Sequence, residues 1–442
     1  MSSDQAYNKI PDSEKKAENL EDEMDCRKDT RTEEYKNKCY WFIFVLVATF
    51  LGEYLLRIPY QNFSDYLQEN INFENKCWLG DVFVWFKYKG KSFIFLFLFN
   101  ISNIFVSLSF VILDSFGIFI NGTIKLIYQD PRPFWRNHNL IPCTCATNYG
   151  NPSTTGLDVY LFCIVVYRGL INRSNNKWWK FGVWTAFLMP QILAWTSRFI
   201  QNIHSLPQLT FGALIGYNIQ YFYYEIMEVD MFSTEKLKKL INCKWLILTM
   251  LLIIVNWFFF NAIHYFFVHP HEDSSMVKHI GKFCSVDIPY FLFDNESYQK
   301  TAHAFVLLGS LFAILLEYKI YFGGDFDAWA EYNMDENNRW SATDEYKTTL
   351  RMLVMYFLGA IIIRLPKWGS IKRDGIFELN LSKCIVHGFW KGFFYFIIIK
   401  TCFKVLTISN ETAGCCRDEP KKIALDNNQN VELSNKIIEN DD

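Results

Sequence analysis

Nine apolar runs dominate this chain, near 41–57, 93–128, 156–172, 178–196, 206–225, 244–268, 303–322, 349–364 and 385–407. Each approaches the roughly 20 residues that an α-helix needs to cross a bilayer. The run from Lys91 to Tyr128 would span about 50 Å as one helix against a hydrocarbon core of about 30 Å, which predicts a break near Asp114. The expectation is an all-α, polytopic transmembrane bundle of nine or ten helices. Residues 1–40 form a polar cytosolic tail, 41–228 a first membrane unit, 229–408 additional membrane helices and 409–442 a disordered acidic tail. A content of 51% hydrophobic and 18% aromatic residues exceeds that of ordinary soluble domains and makes lipid the expected solvent.

The formal charge of −2 gives no basic field to attract nucleic acid, so that class of partner is set aside. The twelve cysteines show neither a C-x-x-C pair nor zinc-like spacing and read mostly as isolated thiols. No apolar core precedes a cleavage site in the first 38 residues, so the first span is expected to target the chain. The basic loops with Arg168, Arg173, Lys177 and Lys180, and with Lys236, Lys238, Lys239 and Lys244, predict the cytosolic side. Segments 129–155 and 197–205 then face the lumen or exterior, with loops 58–92, 269–302 and 365–384, which hold sequons at Asn62, Asn295 and Asn380. With ten helices both ends are cytosolic; with nine, the amino terminus crosses over. Cys415 and Cys416 read equally as palmitoylation sites or ordinary thiols.

Three short motifs fall on the expected lumenal face. Lys125 is followed by Arg132-Pro133 at a helix exit, Tyr149 to Gly156 forms a turn-rich entry to the next helix, and Ser197-Arg198 precedes His204 between two spans. Taken singly, these are an interfacial anchor pair, a capping serine and a polar helix end. Together they bring two guanidinium groups, an ammonium, a hydroxyl, an imidazole and a helix N-terminus to one face, the donors that hold a tetrahedral oxyanion.

On these residues the chain resembles the type-2 phosphatidic acid phosphatase and haloperoxidase superfamily, whose signature is K-x6-R-P, then P-S-G-H, then S-R-x5-H-x3-D. The match at Lys125, Arg132, Pro133, Pro152, Ser153, Ser197, Arg198 and His204 covers roughly residues 90–225. Tyr149-Gly150, Pro152-Ser153-Thr154 and His204-Ser205 are similar to sphingosine-1-phosphate phosphatases. Arg132 to Trp135, Gln208 and the helices beyond 244 are similar to glucose-6-phosphatases. The resemblance implies a six-helix phosphatase-like core in which His204 is the nucleophile. Lys125, Arg132, Ser153, Thr154 and Arg198 would bind the phosphate, with no metal or cofactor. The implied ligand is a phosphomonoester, a lipid, sphingoid-base or sugar phosphate, in the endoplasmic reticulum or another endomembrane.

The pattern breaks at two positions. Thr155 stands where the resemblance implies a histidine that protonates the departing alcohol, and Gln208 stands where it implies an aspartate that orients the nucleophile. Loss of general acid catalysis removes on the order of 10²–10⁴ in rate. Asp158 and His138 are candidate replacements, with simpler readings as a first-turn carboxylate and a loop residue. Two functions follow, an active phosphomonoesterase or a pseudophosphatase that binds a lipid phosphate or scaffolds unidentified membrane partners. The proline between His269 and His271 argues against a metal site at His269–Asp273, and Asp325 and Asp327 read as a solvated face. Trp178 and Trp179 read as belt anchors. Charges cluster at span ends, against a transporter.

Overall fold

The computed structural model describes residues 12–71, 77–78, 104–171, 174–227, 291–329 and 388–394, apart from isolated positions within them, and scattered residues between 248 and 266. Among these every regular element is helical. The elements are α1 (Asp12–Asn70), α2 (Ile104–Tyr128), a one-turn α3 (Pro133–Arg136), α4 (Thr154–Ile171) and α5 (Lys177–Ile200). They continue with α6 (Leu206–Tyr221), which leads into a π-helical turn (Phe222–Ile226), then α7 (Phe291–Tyr321) and a short α8 (Trp390–Phe393). Thr32–Asn70, Leu108–Arg136 and His303–Ile320 are long and apolar enough to cross a membrane. On α5 the exposed stripe Trp178, Phe181, Trp184, Leu188 and Ile192 turns apolar mass outward, the arrangement lipid stabilises and water does not. Trp178 heads this stripe, 80% exposed, as a belt anchor does.

Helix boundaries within 154–226 follow the apolar runs to within a few residues, since charged or polar stretches bound each run. Elsewhere the fold differs from expectation. α2 passes unbroken through Asp114, which is buried and lies 3.4 Å from His303 of α7. The predicted break is therefore not there, because the aspartate meets a partner on a neighbouring helix instead of solvent. Residues 58–70, expected in a loop, continue α1, so Asn62 is helical, as is Asn295 at the start of α7. Asn380, the basic loop 236–244, the acidic tail and Cys415–Cys416 lie outside the described residues.

The reason α1 continues is a stripe of small polar side chains. Thr49, Glu53, Gln61, Ser64 and Gln68 are buried at spacings of three to four or their multiples, so they share one helix face. That face packs antiparallel on α6. Leu206 N donates to Ser64 Oγ at 3.0 Å, Asn218 Nδ2 to Thr49 Oγ1 at 3.0 Å, and Phe42 stacks on Tyr221 with ring centroids 6.4 Å apart. α2 is likewise antiparallel to α4, with Asn121 beside Pro152 and Thr154 at one end and Phe110 against Phe162 deeper in.

One end of the bundle thus collects the C-termini of α1, α2 and α5 and the N-termini of α4 and α6. The amino-terminal half of α1 points to the opposite end, where Arg168 pairs with Glu225 at 2.6 Å. The helices α1 and α2 run parallel, so the first residue of α1 lies away from the motif-bearing end. Asp325 and Asp327 are exposed, and Asp325 Oδ1 accepts from the backbone of Asp327 and Ala328.

Candidate functional site

The last turn of α2 presents Lys125, 1% exposed, whose Nζ donates to the Tyr149 carbonyl at 2.6 Å. α2 stops where Gln129 takes a positive φ of 46°. Asp130 and Pro131 follow, and Arg132 caps α3 with Pro133 at its first position, where a missing N–H costs nothing. The buried Arg132 guanidinium is held on three sides. Nε donates to Asn148 O at 2.6 Å, Nη2 to Asn148 Oδ1, and Nη1 to Ile203 O at 3.0 Å. Nη1 also lies 3.2 Å from His204 Nε2.

The turn from Tyr149 enters α4 through a cis Asn151–Pro152 bond. Asn151 donates to Glu53 of α1, and Asn121 donates to the Pro152 carbonyl at 3.2 Å. Ser153 Oγ accepts from Gly156 N at 3.4 Å, capping α4, and Ser153 N donates to the Gln208 carbonyl at 2.9 Å. This crossing needs glycine. A Cβ on Gly156 would strike the Leu209 carbonyl, and one on Gly212 the Ser153 carbonyl, so the first turns of α4 and α6 meet backbone to backbone.

The segment between α5 and α6 is a tight reversal. The Arg198 carbonyl accepts from Ile203 N at 3.2 Å and His204 N at 3.4 Å, which returns His204 to the face where Arg198 ends α5. Asn202 takes the left-handed conformation, φ 59°, that asparagine tolerates best among non-glycine residues. From α1, Gln68 Nε2 donates to Phe199 O at 2.8 Å and His204 O at 3.1 Å. Arg198 Nη1 donates to Gln201 Oε1 at 3.2 Å.

Gln208 occupies the third position of α6 and is fully buried. Its Oε1 accepts from Ser205 N at 3.3 Å, and its Nε2 donates to Pro131 O at 2.9 Å and Asp130 Oδ2 at 3.1 Å. A backbone N–H only donates and a backbone carbonyl only accepts, so these two contacts fix which end of the amide is oxygen. His204 Nδ1 lies 3.4 Å from that oxygen and must therefore carry the proton. Nε2 is left with the lone pair, directed at Arg132. Gly150, donating to Asp130 O at 2.8 Å, passes so close that a Cβ there would collide with the Gln208 amide.

The fold thus joins Arg132, His204 and Gln208 directly. Ser153 is tied to Gln208 through its N–H, Lys125 to Arg132 through the adjacent carbonyls of Tyr149 and Asn148, and Arg198 to His204 through the backbone. Thr154 Oγ1 donates to Asn121 Oδ1 at 3.0 Å. Thr155 and Asp158 are buried on the first two turns of α4. His138 and the segment His269–Asp273 lie outside the described residues.

Several residues of the cluster escaped the sequence reading. Asp130 and Asn148 sit in an irregular segment with no periodicity, and Gln68 and Glu53 lie on a helix outside the motifs. Ser205-x-x-Gln208 is a capping box, a signal that would have tied Gln208 to its own helix end. One pair of cysteines also escaped the sequence reading. Cys77 and Cys143 form a disulfide across a 66-residue separation that carries no local pattern, while Cys39 and Cys163 are free thiols.

Residues 85–231 match the family model described as the PAP2 superfamily. No curated protein and no solved structure matches the chain.

Proposed function

We infer that this chain, whose residues 85–231 match the PAP2 superfamily, is a membrane phosphoesterase that attacks the phosphorus of a monoester with His204 Nε2. The observation that carries this reading is the fixed imidazole. A nucleophile needs its lone pair aimed, and the Gln208 amide holds Nδ1–H so that Nε2 faces the Arg132 fork. As a Nε2–P bond forms, the ester P–O bond breaks and the alkoxide takes a proton from water. A second water then attacks phosphorus, the Nε2–P bond breaks and inorganic phosphate leaves.

Lys125, Arg132 and Arg198 stabilise the equatorial oxygens, with Ser153 and the N-terminus of α4 as further donors. Arg132 exchanges its contact with Nε2 for a phosphate oxygen when the ligand enters. The substrate class is a phosphomonoester of a lipid, a sphingoid base or a sugar, taken at the membrane face where α1, α2 and α5 end. Cys77–Cys143 favours a lumenal or extracellular position for that face, since disulfides persist in oxidising compartments. Endoplasmic reticulum or another endomembrane fits this orientation.

Thr155 favours a second reading. A threonine hydroxyl supplies no proton near neutral pH, so alkyl phosphates, whose leaving alkoxides are strong bases, would be bound and turned over slowly or not at all. The two readings separate on the full chain purified in detergent and offered lipid, sphingoid-base and sugar phosphates. Turnover that disappears in His204→Ala supports the phosphoesterase. Tight phosphate binding with turnover only in Thr155→His supports a binding protein derived from one.

A further inference from the structure

We propose that Asp130 is a positioning residue for His204, acting through Gln208, so that the carboxylate expected beside the imidazole has moved one link outward. This proposal rests on His204 being the attacking group. The path is continuous, from His204 Nδ1 to Gln208 Oε1 at 3.4 Å and from Gln208 Nε2 to Asp130 Oδ2 at 3.1 Å. All three side chains are buried, where a charge acts on its neighbours with little screening.

The amide is not a passive spacer. Ser205 N and Pro131 O fix its orientation, so the negative charge of Asp130 lies at the donor end and polarises the amide, making Oε1 a stronger acceptor for Nδ1–H. As phosphorus bonds to Nε2, the imidazole gains positive charge and the chain of two hydrogen bonds strengthens. A neutral Gln208 alone orients the ring; Asp130 adds a charge that favours the cationic ring.

Other charged groups surround the relay. Glu53 and Arg57 on α1, Asp65 also on α1, and Arg136 on α3 interact electrostatically with one another or with Asp130, while Arg132 faces the far side of the imidazole. Among the described residues Asp130 is the member of this set that hydrogen-bonds Gln208, so the through-bond route to His204 runs by Asp130.

The test uses the full chain in detergent with Asp130→Asn, Gln208→Glu and the double variant. Asp130→Asn keeps an oxygen for Gln208 Nε2 and removes only the charge. The double variant exchanges carboxylate and amide along the same relay and restores one charge. The probes are orthovanadate, which takes a fifth bond from an attacking atom as a transition-state mimic, and inorganic phosphate, which reports oxyanion binding alone.

Expected is a loss in orthovanadate affinity on the order of tenfold for Asp130→Asn, the scale seen when an outer partner of a reacting or ligating group is removed. Phosphate affinity stays within about twofold, and the double variant returns orthovanadate binding to within about threefold of wild type. Unchanged orthovanadate affinity in Asp130→Asn overturns the relay, as does equal weakening of both ions or additive loss in the double variant, each of which marks a structural role. His204→Ala reports separately on the underlying reading. If orthovanadate binding survives that change, His204 is not the attacking group and both proposals fail; if it is lost while no monoester is hydrolysed, only the phosphoesterase reading fails.

Discussion

On the His204 side of the site, both ends of the Gln208 amide are pinned by backbone groups and the imidazole tautomer follows from them. On the α4 side, the position that family resemblance assigns to the leaving-group acid holds Thr155, buried on the first turn beside a capping serine. In the proposed reading, attack and departure are the two halves of one displacement, and the geometry around His204 serves the first. The difference teaches that the two sides have different support: the Gln208 amide has a neighbouring carboxylate on its donor end, whereas the hydroxyl of Thr155 supplies no proton near neutral pH.

The largest expected effect lies on the His204 side. His204→Ala should reduce hydrolysis of every monoester by on the order of 10⁴-fold or more, whatever the leaving group, because the attacking atom itself is gone. Burst measurements of acid-labile phosphoprotein would give the same answer independently of turnover. An effect confined to alkyl esters would break the comparison by moving His204 to the departing side.

Next comes the side that is altered. Thr155→His should raise turnover of alkyl phosphates by roughly 10²–10⁴, the worth of general acid catalysis, and change p-nitrophenyl phosphate by only a few fold, since p-nitrophenolate leaves without protonation. The slope of rate against leaving-group basicity, measured in wild type and variant, sharpens the comparison into one number. Equal gains for both ester types would show that the histidine improves binding and not departure.

The architecture that holds the two sides together predicts a smaller, purely structural effect. Gly212→Ala sets a Cβ against the Ser153 carbonyl, at the point where α4 and α6 touch. Overpacking of this kind costs about 1–3 kcal/mol, read as a lowered thermal transition in detergent together with weakened phosphate binding. A variant of unchanged stability would mean that the helices have room to separate and that the shared framework of the two sides is loose.

Much of this was legible in the chain itself. Apolar runs bounded by charge fixed α4, α5 and α6 closely, and the Lys125, Arg132, Ser153 and His204 motifs come to one end of the bundle as their spacing requires. What escaped has a common physical cause, polar side chains whose partners are distant in sequence. Asp114 read as a helix break because its neighbour, His303, is far along the chain. Gln61, Ser64 and Gln68 read as a loop, although at helical spacing they form a stripe facing α6 and the turn after α5. Asp130 was passed over between a helix end and a proline, where a carboxylate has no pattern to announce it.

The smallest effect tests that hidden stripe. Gln68 reaches across from α1, outside the 85–231 match, to the carbonyls of Phe199 and His204 at 2.8 and 3.1 Å. Gln68→Ala leaves two buried acceptors in the reversal without that donor, a cost of about 1–3 kcal/mol in stability. Its effect on turnover should be only a few fold, because the Arg198 carbonyl and Asn202 still set the turn. Equal slowing of alkyl and p-nitrophenyl esters is the expected pattern, since a slackened His204 weakens attack on either. If Gln68→Ala instead slowed alkyl esters alone, α1 would belong to the departing side, and the first helix would have to be counted as part of the chemistry that Thr155 left unfilled.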